Sequence, residues 1–239
     1  MVVGLGTVHE VILASLNTHA GRGTDGLAYD LEAACRQLKA DVIVLQEMWH
    51  AHGEPNPADE IASALGAEAI WADLHTDIDL RRLAISRETA RGRWGLAVLT
   101  TMPVAHYEVT NLGRMPGDPT PRVAQMITLD MPGGGTLRVV NTHLTYLFAS
   151  PVQLVRLVLH LTKDDVPTVI AGDLNMPMPV TGLAASYDPA VVGRTYPAHR
   201  PLVQLDHILA DRRVNRCGGD VLGPAGSDHL PIRARLRLG

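Results

Sequence analysis

Cysteine is scarce: the 239-residue chain holds two, Cys35 and Cys217. Two thiols build no disulfide framework. Neither C-x-x-C nor H-E-x-x-H occurs, so zinc finds no ligand spacing. Without G-x-S-x-G there is no serine-hydrolase elbow. Aromatic residues are 4% of the chain, too few to pave a stacking surface for single strands. No apolar run approaches the roughly 18 residues of a membrane-crossing helix. Positive charge is not in excess, since 21 Lys and Arg against 25 Asp and Glu leave −4, with a pI of about 6.2. That excludes a whole-molecule basic field for gripping phosphates, though not a local basic patch. The opening stretch MVVGLGTVHEVILASLN has no basic n-region and is interrupted by His9 and Glu10. It does not read as a secretory leader, and a cytoplasmic protein is the expectation.

What is present is enough apolar material for a core: 46% hydrophobic against 19% charged. Residues 1–239 are expected to form one domain. EVILASL (10–16), DVIVLQE and PTVIAGDLN read as buried strands, apolar and β-branched. Leu27, Ala28, Leu31, Ala34, Cys35 and Leu38 recur at helical spacing, which places Cys35 as a buried thiol. NPADEIASAL starts a helix with Asn56 as cap and Pro57 in the first turn. SPVQLVRLVLHL is another, with Ser150 as cap, Pro151 opening it and Gln153 completing a capping box. GLAVLT, VAHYEVT, VAQMITLD and TLRVVNTHL are consecutive strands, with MPGGGT as a hairpin turn. LVQLDHILA and HLPIRARLRL close the list of strands. Residues 174–203, rich in Pro, Gly and Tyr, read as an irregular loop at a functional edge. A doubly wound sheet would keep alternating helix and strand. The central run of strands instead predicts antiparallel pairing and two packed mixed sheets.

One motif competes for the function. Gly21, Gly23 and Gly26 spell G-x-G-x-x-G after a strand and before a helix, and Glu47 follows at about the distance of a ribose-binding acid. Against this dinucleotide reading stands a pattern repeated along the chain. Strands run apolar and then end in polar, chemically capable residues: Asn17; Gln46 and Glu47; Asn141, Thr142 and His143; Asp173, with Asn175 close behind. A later strand carries Asp206 and His207, and GSDHLP sets Asp228 and His229 before the final strand. The oxygen donors suit a hard divalent cation. Two histidines can exchange protons near neutral pH. Together these residue types suit metal-assisted acid–base chemistry.

SLNTH, DVIVLQE, VVNTHL, IAGDLN, LDHIL and GSDHLP, in that order over residues 10–232, resemble the endonuclease/exonuclease/phosphatase superfamily. The resemblance implies a four-layered α/β sandwich, two packed mixed sheets flanked by helices, and a phosphate-ester hydrolase using Mg²⁺ or Mn²⁺. It implies metal binding at Glu47, Asp228 and Asn17, with Asn17 beside the metal or on a metal-bound water. Asp173 would orient or deprotonate the attacking water, helped by Asn175. His229 would bind phosphoryl oxygens, with Asp206 fixing its ring, and His143 would serve acid–base chemistry near the leaving oxygen. Arg122 matches an arginine that contacts phosphate in deoxyribonuclease-like members. Tyr196, His199 and Arg200 are candidate substrate contacts, with His19 and Arg22 secondary.

Deoxyribonuclease-like members pair the second histidine with a mid-chain glutamate. Asp77, Asp79 and Glu88 are candidates here, none in a motif. The expected partner is a phosphate-ester substrate, nucleic acid among the choices, alongside a lipid or small-molecule ester. A non-catalytic binding module of the same fold is the remaining alternative. Oligomeric state is not legible.

Overall fold

A computed structural model describes residues 10–83, 85, 89–146 and 148–238. His9 and Glu88 lie outside the described residues.

Among the described residues twelve strands form two sheets of six. The first sheet has the order β11-β12-β1-β2-β4-β3. Its members are β1 (Val11–Asn17), β2 (Val42–Ala51), β3 (Glu68–Asp79), β4 (Arg91–Thr100), β11 (Val214–Val221) and β12 (Ile232–Leu238). The second has the order β5-β6-β7-β8-β10-β9. It is built from β5 (Val104–Gly113), β6 (Arg122–Asp130), β7 (Thr136–His143), β8 (Thr168–Asp173), β9 (Tyr187–Pro189) and β10 (Asp206–Asp211). The sheets are mixed. β1 pairs parallel with β2 and β7 with β8, while their other neighbours run antiparallel.

Period-two alternation explains the stacking. Leu13, Val42, Val44, Val139, Val169 and Ala171 point into a core shared by the two sheets. Their chain neighbours Ala14, Ile43 and Leu45 point the other way, against α1 (Leu31–Leu38) and α2 (Pro57–Leu65). Val140 and Ile170 likewise face α3 (Ser150–Leu161) through Leu154, Leu157 and Leu161. Strands buried on both faces must read as continuous apolar runs, as β2 and β8 do. The result is helix, sheet, sheet, helix: the four-layered sandwich.

Several local expectations change. α1 begins at Leu31, later than the helical spacing suggested, and is capped by the Asp30 side chain accepting from the Ala33 N–H. Leu27, which suggested an earlier start, is 68% exposed. Asn56 does cap α2, accepting from Ala58. At α3 there is no capping box. Gln153 is drawn away from the helix end, accepting from the Thr145 N–H and donating to the Gly113 carbonyl. The MPGGGT turn closes the β6–β7 hairpin with three successive glycines at positive φ, a conformation a Cβ would strain. β3, β9 and β11 are strands that the apolar pattern does not announce. β4 joins the first sheet rather than continuing into the β5–β6–β7 meander. Among the described residues no helix is long and apolar enough to cross a membrane.

Candidate active site

The two parallel pairs bring their C-terminal ends together. Asn17 stands opposite Gln46 in the β1–β2 register, and His143 opposite Asp173 in β7–β8. Asp206, at the start of β10, is the antiparallel partner of Asp173. The ends of strands from both sheets thus surround one cleft of about 380 Å³. Its lining includes Glu47, His143, Asp173, Asn175, Asp228 and His229.

Local backbone aims these side chains. β2 bulges between Leu45 and Met48, and within the bulge Glu47 takes φ +55, the left-handed region that a non-glycine residue enters at a cost. Asn175 does the same at φ +50, where asparagine is tolerated best. Gly172, before Asp173, has φ +136, and a Cβ there would lie 2.0 Å from the Thr142 carbonyl oxygen. The glycine of AGDLN is therefore required for β8 to approach β7.

Asp173 is the hub. Its Oδ2 accepts from Asn17 Nδ2 at 3.0 Å and lies 3.6 Å from His143 Nε2 and 3.8 Å from His229 Nε2. Its Oδ1 accepts from the Asn175 N–H at 2.9 Å. Asn17 Nδ2 also reaches Glu47 Oε1 at 3.2 Å, while its Oδ1 accepts from the His19 N–H. The Asn17 amide therefore clamps two carboxylates through its nitrogen. Ser227 fastens the last loop by donating to the Asn17 carbonyl at 2.6 Å.

The histidines differ in charge. Burial opposes the charge on His229, but Asp206, bonded to Nδ1 at 2.8 Å, together with Asp173 and Asp228, overcomes it and pushes the pKa up to about 10. His229 is an imidazolium at neutral pH. His143 is held well below its ordinary value by burial, with the charges of Arg122 and His229 adding to the effect. Asn175 Nδ2 gives one hydrogen to the Leu144 carbonyl (3.0 Å) and the other to His143 Nε2 (3.1 Å). That makes Nε2 an acceptor and puts the ring proton on Nδ1. Burial raises Asp173 to about 7, with the charge of Asp206 adding to it and His229 opposing. Burial also raises Glu47, and Asp228 reinforces the shift.

Two groupings have metal-ligating chemistry. Asp173, Asp206 and His229 bring ligand atoms within 4.8 Å of one another, but His229 Nδ1 is spent on Asp206 and its charge repels a cation. The Glu47 and Asp228 side fits better. Glu47 is a half-buried carboxylate that lies 3.7 Å from the neutral His143 Nε2 and has no lysine or arginine partner among the described residues. Carboxylate oxygens not tied up by a lysine or arginine are what a hard divalent ion takes.

Arg122 is buried, lines the cleft and sits 3.6 Å from Asp118, and its Nε has no partner among the described residues. The Tyr196 ring packs on His229 with centroids 4.7 Å apart. His19 lines the cleft, with Nδ1 3.9 Å from Asp228. Arg200 is exposed and does not line the cleft. Neither Asp77 nor Asp79 pairs with His143, for they meet Arg91 and Arg81. Among the described residues His143 Nδ1 has no partner. His207 turns into the core and donates from Nε2 to the Met176 carbonyl at 2.9 Å. Trp94, Tyr146 and Leu205 add apolar walls. Of these, only Tyr146 carried a sequence signal, an aromatic just after NTHL. The glycine loop is no phosphate cradle, because α1 starts beyond it and the Asp30 carboxylate already occupies the helix N-terminus.

No curated protein matches the chain. Among solved structures, it is similar to an endonuclease/exonuclease/phosphatase from Beutenbergia cavernae DSM 12333, at 23% identity over 96% of this chain and 72% of that one, with a TM-score of 0.75. A mannosyl-6-phosphatase of Bacteroides thetaiotaomicron VPI-5482 shares 13% identity over 95% and 99% of the two chains, with a TM-score of 0.73. The human Nocturnin catalytic domain with bound sulfate anion shares 16% over 99% and 96%, with a TM-score of 0.74. Identities this low speak to fold. A family model matching residues 14–229 speaks to descent, and by it the chain belongs to the Endonuclease/Exonuclease/phosphatase family, a family of phosphoesterase hydrolases.

Proposed function

We propose that residues 1–239 form one domain that acts as a divalent-metal-dependent phosphodiesterase of nuclease type. The observation that carries this is Asp173, held by Asn17 and the Asn175 N–H between a neutral His143 and a charged His229. Glu47 and Asp228 would hold Mg²⁺ or Mn²⁺, with Asn17 beside them, and the bound ion supplies positive charge to the phosphate oxygens.

Asp173, raised to about 7, is poised to orient a water and accept its proton near neutral pH. Asn175 fixes that carboxylate and the His143 ring together. His229, kept charged by Asp206, stabilises the phosphoryl oxygens as negative charge grows on them. The unspent Nε–H of Arg122 serves the same oxygens. His143 exchanges a proton at the leaving oxygen. Tyr196 packs beside the substrate. The unpaired Cys35 and Cys217 suit a reducing, cytoplasmic setting.

A metal-supplemented panel tests the reading. Bis-p-nitrophenyl phosphate, plasmid DNA and RNA are incubated with Mg²⁺ or Mn²⁺, with EDTA as control. Turnover abolished by EDTA, and lost in Asp173→Asn and His229→Ala with the fold intact, is the expected result. No turnover on any substrate, or unchanged turnover in both variants, would overturn it.

A further inference from the structure

A second recess of about 430 Å³ lies next to the catalytic cleft, and Pro119 is a wall of both. His75 from β3, Arg82 from the turn after it, and Arg114 and Asp118 from the β5–β6 connection line it.

Its charges do not cancel. Arg82 has no hydrogen-bond or ion-pair partner among the described residues. Arg114 spends its Nε–H on the Asp118 carbonyl at 2.8 Å and keeps its terminal N–H groups. The Nδ1 of His75 accepts from the Asp77 N–H at 3.1 Å, which leaves its ring proton on Nε2 as a donor. Nearby acids are already taken: Asp77 by Arg91 and Asp79 by Arg81. The Asp118 carboxylate, fully buried, is answered from behind by the Thr145 hydroxyl (2.7 Å) and by Arg122 (3.6 Å). Two guanidinium groups and an imidazole N–H thus share one recess with no free countercharge among the described residues, an arrangement that an anion relieves.

The Asp118–Arg122 pair spans the partition, Asp118 lining the recess and Arg122 the catalytic cleft. Two positive subsites stand on either side of one proline. We propose that the recess is a second phosphate subsite, so that the substrate carries another phosphate beside the scissile one, as a nucleotide strand does. The choice of substrate rests on the hydrolase reading above, while the anion site itself does not.

The test uses Arg82→Gln, whose side chain makes no hydrogen bond or ion pair among the described residues, and the double variant Arg82→Gln/Arg114→Gln. With Mn²⁺, KM for a short oligothymidylate is expected to rise about tenfold in the double variant, while kcat/KM for bis-p-nitrophenyl phosphate, with its single phosphate, stays within about twofold. Binding of fluorescein-labelled oligothymidylate in EDTA needs no turnover and should weaken about tenfold, with a salt dependence shallower by about one to two phosphate contacts. Oligothymidylate affinity and KM within about twofold of wild type in both variants would overturn the proposal. A wild-type protein that binds the oligomer through these arginines yet hydrolyses neither substrate would overturn the hydrolase reading and leave the anion subsite standing.

Discussion

Asp206 Oδ2 stands 2.8 Å from Nδ1 of His229, with both side chains buried. Together with Asp173 and Asp228, Asp206 holds the imidazolium against a burial that would discharge it, keeping its pKa up to about 10. If the charged ring stabilises phosphoryl oxygens, activity persists as pH rises and falls only when the ring loses its proton. Asp206→Asn removes a negative charge, lowers the His229 pKa and brings the alkaline limb of kcat/KM to lower pH. At neutral pH the loss is expected to be about 10²-fold. Steady-state profiles on bis-p-nitrophenyl phosphate measure both, and an unmoved alkaline limb would remove Asp206 from this role.

A polar seam ties the sheets behind the site. Gln46 Nε2 donates to Asn141 Oδ1 at 2.8 Å, and Asn141 Nδ2 serves Gln125 Oε1 and the Leu45 and Ala97 carbonyls. Asn141→Leu keeps the volume but strands those groups in a dry interior. We expect a cost of about 3–5 kcal/mol, read as a lower urea midpoint. A change below about 1 kcal/mol would mean that the seam relaxes or admits water.

Much of this was legible along the chain, for reasons that differ by residue. Asp173 ends a strand after an apolar run and Glu47 follows one at the β2 bulge, where a polar residue is conspicuous. Asp206 opens β10 and His229 sits in the loop before β12, and the fold converges these points. The glycine between Ala171 and Asp173 belongs to the same motif because β8 crowds the Thr142 carbonyl. Edge elements were hidden. β11, reading VNRCGGDV, is half exposed and bulges between Arg216 and Gly218, so no alternation marks it. Gln153 had the spacing of a capping box, but tertiary bonds to Thr145 and Gly113 claimed it. The arginine recess had no local signature at all, since Arg82 and Arg114 meet only through the packing of separate connections.

Arg122 and Asp118 are both buried, 3.6 Å apart. Arg122→Met leaves a buried carboxylate without its countercharge, at an expected cost of about 3 kcal/mol. Asp118→Asn/Arg122→Met removes the stranded charge and should recover roughly half of that. Activity on bis-p-nitrophenyl phosphate should stay low in both, because the guanidinium is absent from the cleft in each. Urea midpoints and kcat/KM separate the two effects. Activity that returned along with stability would make Arg122 purely structural.

His207 predicts a pH dependence of stability whose sign follows from its burial. Its pKa is lowered, chiefly by desolvation, with the Met176 carbonyl and the charge of Asp206 only partly offsetting that. The unfolded chain therefore takes up the proton more readily, with a pKa of about 6.5. Below that pH the unfolded state binds more protons, so the folded state loses stability as pH falls through it, and the contribution is complete above it. His143, shifted in the same direction, adds to the trend in the wild type. His207→Gln can keep a donor for the Met176 carbonyl while removing the titration. Between pH 8 and about pH 5.5, the wild-type urea midpoint should fall further than that of the variant, and the difference isolates His207 because His143 remains in both. Equal falls would mean that His207 is as easily protonated in the fold as outside it.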